Sequence, residues 1–312
     1  MLIRLKIYII LFLNSLVFCS VTYSQNYFTS NFYNNAVFNN PSLASINENS
    51  LLQMNYRNQW PVDGLFNTYG GAFFHAMSSL NSNVGVVLNH DRQYKGFLTN
   101  TTVGVNYSYK IKIAYRNYLS FGLNGSYNLR SLDYSNLHFE NPGVVYLQSE
   151  QNHYPIINAG MTLTFQKDHN IGVSIVNIYP FLDQPIMNRA LCLSYLSHIE
   201  SNRYNTLPGY IEPMAEVYIT EDFLRYNYGI NLGFYNIKSG ILISQTGLNV
   251  NSIALLLGIL FDNYEFIYAY DLNLSSAVSI NPKMTAHEVT FLYKLQYKGR
   301  RKKMGAIKCP KI

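Results

Sequence analysis

Charge is scarce in this sequence. Asp, Glu, Lys and Arg make up 13% of its 312 residues, against a usual fraction of about 25%, so the chain is poorly equipped to cover a large surface facing bulk water. Tryptophan occurs once and cysteine three times. Cys19 falls in the first segment, which leaves Cys192 and Cys309, too few and too far apart in sequence for a disulfide scaffold. Past the start, no apolar run approaches the roughly 18 residues of a spanning helix; the longest, Ile253 to Phe261, is far too short. Any crossing of a membrane would have to use strands. Gly-rich phosphate loops, HExxH, CxxC and GxSxG are all missing. The histidines, His75, His90, His138 and His287 among them, lack ligand spacing, so neither a metal nor another cofactor is implied. His90-Asp91 and His287-Glu288 are pairs without a third catalytic partner, and no enzyme activity is expected. Glu212, Glu216, Glu221 and Asp222 gather about one predicted strand and its turn, as a solvated rim would.

The first residues have the make-up of a targeting segment. Arg4 and Lys6 precede an apolar run from Ile7 to Phe18, and Thr22 and Ser24 are small residues placed for cleavage before Gln25. This is the pattern of a secretory signal peptide over residues 1–24; the alternative, a membrane anchor, fits less well because the run is short. The net charge of +6 sits at the two ends. Arg4 and Lys6 belong to the leader, and the tail GRRKKMGAIKCPKI holds Arg300, Arg301, Lys302, Lys303, Lys308 and Lys311. The body between is near neutral, which argues against a nucleic-acid partner.

What the chain has in abundance is alternation. In TVGVNYSYKI, Val103, Val105, Tyr107, Tyr109 and Ile111 interleave with Thr102, Gly104, Asn106, Ser108 and Lys110. The same period of two recurs through Phe121, Met161, Ile230 and Val289, each time with Asn, Ser, Thr or Gly on the second face. A soluble sandwich would also alternate, but it would expose Lys and Glu. Segments about ten residues long, aromatic toward their ends and small and polar on one face, read as a transmembrane antiparallel β-barrel. About 14 strands are predicted between residues 50 and 297, an even number that puts both termini in the periplasm. Residues 25–49 form an N-terminal segment, periplasmic or lumen-associated, and residues 298–312 a basic periplasmic tail. The polar faces predict a small, neutral lumen. Leu256 and Leu260 break the pattern by placing apolar groups on the lumen face, as a plugged or partner-filled interior would require.

Several motifs, taken together, carry a resemblance. Asn40-Pro41-Ser42-Leu43-Ala44-Ser45 follows a Tyr/Phe/Asn-rich start, and Tyr56-Arg57-Asn58-Gln59-Trp60 comes next. Tyr270-Asp271-Leu272-Asn273-Leu274-Ser275, Ala286-His287-Glu288-Val289 and Ala306-Ile307-Lys308-Cys309-Pro310 close the chain. In identity, order and spacing these resemble the PorP/SprF family of outer-membrane proteins attached to the type IX secretion system, departing from it at Ser45 and Thr285. The resemblance implies a barrel in the outer-membrane lipid that supports secretion, surface display of large adhesins, or gliding motility, with periplasmic secretion components and a secreted surface protein as partners. A passive porin or solute transporter is the alternative. On physical grounds Tyr56 and Trp60 suit a membrane interface, and Asp271 and Glu288 suit lumenal pairing with Arg57 or Lys294.

Overall fold

The computed structural model describes residues 29–46, 49–61, 65–134, 149–178, 189–200, 209–274 and 285–295. The predicted leader, residues 135–148, Ser275 and the basic tail with Lys308, Cys309 and Pro310 lie outside these residues.

Each alternating stretch forms a strand: β1 (Ser50–Gln59), β2 (Phe66–Met77), β3 (Ser82–Gln93), β4 (Leu98–Ala114), β5 (Asn117–Leu132), β6 (Glu150–Phe165), β7 (His169–Ile178) and β8 (Ala190–Ser197). A two-residue β9 (Ile199–Glu200) continues β8 past His198. The circuit goes on through β10 (Gly209–Thr220), β11 (Leu224–Phe234), β12 (Ile237–Thr246), β13 (Asn249–Leu260), β14 (Tyr264–Asn273) and β15 (Thr285–Leu295). All pairings are antiparallel, and β15 against β1 closes the wall with Arg57 opposite Glu288. Not counting the short β9, the barrel has 14 strands, as the pattern predicts.

Sequence alternation becomes an inside and an outside because successive strand residues point to opposite faces. Val103, Val105, Tyr107, Tyr109 and Ile111 are exposed on the outer face of β4, while Asn106 and Ser108 are buried on its inner face. The exposed apolar side chains continue around the circuit, through Leu123, Met161, Leu193, Ile230, Leu257 and Phe266. An apolar belt of this extent matches hydrocarbon, not water. Long connections gather at one end of the barrel, after β5, β7 and β14. The other end has tight turns, such as Tyr115 and Arg116 between β4 and β5. The stretch between β9 and β10 is the long exception at the tight-turn end.

The lumen holds part of the chain itself. A helix, α1 (Phe32–Asn39), leads into a 3-10 turn (Pro41–Ile46), and β1 begins soon after. Eight residues rich in Asn are too short to stay helical in isolation; packing makes this helix. Phe32 and Ala36, one turn apart, join Leu43 in a buried cluster with Leu242, Leu256, Ile267 and Leu292 from the inner wall. The apolar Leu256 is thus explained: it packs against the inserted segment.

A charge placed on the outer face should therefore cost far more than a change on the inner one. Leu123→Arg is expected to destabilise the barrel in lipid vesicles by about 2–4 kcal/mol. Ser120→Ala, which removes a buried hydroxyl without a hydrogen-bond partner among the described residues, should leave stability unchanged or raise it by about 1 kcal/mol. Urea unfolding of both variants checks the pair.

Candidate functional site: a lumen occupied by its own N-terminal segment

Glu288 on β15 is 1% exposed and faces the lumen. Its carboxylate accepts the backbone N–H of Ser30 at 2.7 Å and of Asn31 at 3.4 Å, and Asn35 Nδ2 at 3.1 Å. The wall thereby supplies the negative charge that a helix start favours, in place of a side-chain cap from Asn31. Arg57 on β1 stands between two acids, its guanidinium 3.1 Å from Glu288 and 2.8 Å from Asp271 on β14. Ser30 Oγ completes the group: it donates to Asp271 at 2.7 Å and accepts from Arg57. Three motifs far apart in sequence thus meet on three adjacent strands and grip one end of the segment.

The other end is seated on polar and glycine backbone. Asn40 Nδ2 donates to Thr162 at 3.2 Å, while its Oδ1 accepts the N–H and hydroxyl of Ser42. The Pro41 carbonyl accepts Asn106 Nδ2 at 3.3 Å, and the Ala44 carbonyl accepts Asn83 Nδ2 at 2.8 Å. Gly122 and Gly160, opposite one another on β5 and β6, leave the room: a Cβ on Gly122 would collide with the Pro41–Ser42 backbone, and one on Gly160 with the Asn40 side chain. Between the two ends, Asn39 Nδ2 donates to Glu216 on β10 at 2.9 Å, and its carbonyl accepts Ser174 on β7 at 2.7 Å. Contacts to β3, β4, β6, β7, β10, β14 and β15 are possible together only from inside the barrel.

The remaining motif residues divide by the same alternation. Tyr56 faces outward, its hydroxyl 2.9 Å from Asn67 Oδ1 and its ring 5.1 Å from Tyr69. His287 also faces outward, meeting the Tyr268 hydroxyl at 2.7 Å and the Tyr270 ring at 5.3 Å. His287 and Glu288 therefore point to opposite faces and cannot act as a pair; nor do His90 and Asp91, where His90 bonds Thr101. Asn58, Gln59 and Asn273 are half-buried near the long-connection end of their strands. Trp60 turns the chain there with φ 54°, donates its N–H to the Thr285 carbonyl, and meets Phe66 edge to face at 4.9 Å.

Two expectations are corrected. The lumen is small and polar along β4–β7 but not neutral elsewhere. Lys238 lies 2.6 Å from Glu212, which also meets His198 at 3.0 Å and Asn231 at 3.1 Å. Lys294 pairs with Glu265, not with the acids beside Arg57. Nor are Glu212 and Glu216 a solvated rim: four residues apart on one strand, they share its inner face, at 4% and 2% exposure. Glu216 accepts from Asn39, Asn227 and the Cys192 thiol. Only Glu221 and Asp222, in the turn after β10, are exposed. Ser30, Asn31, Asn35 and Asn39 were not singled out from sequence; their signal was the density of Asn just ahead of Asn40-Pro41.

Removing the cation between two buried acids leaves charge uncompensated, which costs about 3–5 kcal/mol. Arg57→Met is expected to destabilise the protein by that order and to raise hydrogen exchange across residues 29–46 well before the strands exchange. Unchanged protection of the segment would contradict this arrangement.

In fold comparisons the chain resembles outer-membrane proteins at low identity. It matches the Acinetobacter baumannii outer membrane protein Omp33 at 11% identity and TM-score 0.47, covering 80% of this chain and 100% of that one. A Pseudomonas aeruginosa FadL homologue matches at 10% and 0.46, over 84% and 94%. The TodX monoaromatic hydrocarbon channel, as a deletion mutant, matches at 9% and 0.48, over 85% and 94%. No curated protein matches the sequence. The family described as type IX secretion system membrane protein PorP/SprF matches residues 21–293, a span that takes in Arg57, Asp271 and Glu288, and the chain belongs to that family.

Proposed function

We propose that this outer-membrane barrel serves the type IX machinery by binding partners, supporting export or surface anchoring of large secreted proteins such as adhesins, and performs no catalysis. The observation that carries the reading is the filled lumen: residues 29–46 bond to strands all around the inner wall, where a porin keeps a water-filled channel. A passive porin or solute transporter is the second reading. The lumenal charges would favour it, but Arg57, Lys238 and Lys294 are each committed to an acid. In this proposal both termini face the periplasm. The even strand count and the gathering of long connections at the opposite end support that orientation. The basic tail from Arg300 to Lys311 is then a docking segment for an acidic periplasmic partner surface.

Affinity isolation of the intact protein in mild detergent tests the proposal. Co-purification of a very large surface protein or of periplasmic secretion components is the expected result, and a barrel recovered alone would contradict it. Removing Met304–Ile312 should leave the barrel in the outer membrane while secretion falls; undiminished secretion would remove the tail from the account.

A further inference from the structure

Beside the inserted segment, toward the end with the long connections, lies a cavity of about 120 Å³. Val37, Phe38 and Asn39 of the segment border it on one side. The facing wall is dominated by one side-chain type: Asn89, Asn100, Asn124, Asn128, Asn158 and Asn177 all line it.

These carboxamides are held in a set arrangement. The pairing of β6 with β7 shifts register between Ile157 and Ala159, and Asn177 adopts a left-handed φ of 60°. Asn177 thereby turns its N–H to Asn158 Oδ1 at 2.8 Å. Asn158 Nδ2 donates to Asn124 Oδ1 at 3.4 Å, which also accepts the Ser126 hydroxyl at 2.5 Å. Bulges commonly re-aim side chains at sites, and a strained left-handed residue other than Gly persists only where its surroundings hold it. Asn128 is 1% exposed, and its carboxamide oxygen has no hydrogen-bond partner among the described residues; nor have the carboxamide oxygens of the half-buried Asn89 and Asn100.

The lining selects the ligand. Among the described residues it contains no Lys, Arg or His, so an anion finds no counter-charge there. Its one carboxylate, Asp91, already accepts Thr68 Oγ1 at 2.7 Å and Gln93 Nε2 at 2.5 Å, which leaves little for a cation. What remains is a wall that can both donate and accept without charge, with Ile156 and Val176 set among its carboxamides and Val37 and Phe38 of the segment opposite. Hydroxyls around a ring with aliphatic C–H faces complement such a wall. A peptide offers only one N–H and one C=O per residue and brings side chains the cavity must also hold.

We propose that this cavity binds a neutral saccharide, about one sugar ring in size, as a free sugar or as the end of a glycan. The site goes beyond the secretion reading and does not depend on it. The test uses the full chain in a detergent without a sugar headgroup, screened against immobilised neutral oligosaccharides, with calorimetry on any that bind. At least one neutral saccharide should bind, and Asn124→Leu and Asn100→Asp should each weaken it at least tenfold. Val37→Trp, which fills the cavity from the segment and leaves the wall untouched, should abolish binding while heat-modifiable migration shows the barrel intact. Failure of every neutral saccharide to bind, affinity that survives Val37→Trp, or binding of unglycosylated peptides alone would each overturn the proposal.

Discussion

One carboxylate inside the barrel has a disproportionate reach. Glu288 is almost fully buried, and a buried charge must be both paired and hydrogen-bonded to persist. Arg57 meets the first demand and the backbone of Ser30 and Asn31 the second. The wall's buried carboxylate is fully hydrogen-bonded only with the segment in place. Because Arg57 also binds Asp271, the seam where β15 meets β1 and the anchoring of the segment become one interaction. The apolar contacts of Phe32, Ala36 and Leu43 with Leu256 and Leu292 add burial, but they have no direction; the ion cluster and the seat of Asn40 on Gly160 and Thr162 fix where the segment sits.

This explains how motifs so distant in sequence come to act together in this chain. In Tyr56-Arg57, Tyr270-Asp271 and His287-Glu288 the first residue faces outward or toward the rim and the second faces in. The strands put the three inner members within reach of each other and of Ser30. The dipeptides work as one aromatic or polar group for the membrane side and one charge for the lumen.

The wall was legible in the sequence because lipid on one side and a polar interior on the other impose a period of two on nearly every strand, and a two-sided constraint repeated 14 times is hard to miss. For the N-terminal segment the sequence left two places open, periplasm or lumen, and the choice was legible only by its effect on the wall. Leu256 stood on the wrong face for a wet lumen, which pointed to something packed there, but FYNNAVFN carries too little helical signal to announce itself. The charged half of the lumen was missed for a related reason. Glu212 was noticed with the wrong neighbours and Lys294 with the wrong acids, and it is strand pairing that brings Glu212 on β10 to Lys238 on β12 and Glu265 on β14 to Lys294 on β15. The asparagine wall arose the same way, from residues on β3, β4, β5, β6 and β7 that no local motif connects.

Single-channel recording in planar bilayers tests the central claim most directly, by comparing the intact protein with one lacking residues 29–46 that still migrates as a folded barrel. The account predicts no large constitutive conductance for the intact chain and discrete open-pore steps once the segment is gone. A stable open pore in the intact protein, or silence from the folded deletion, would contradict it.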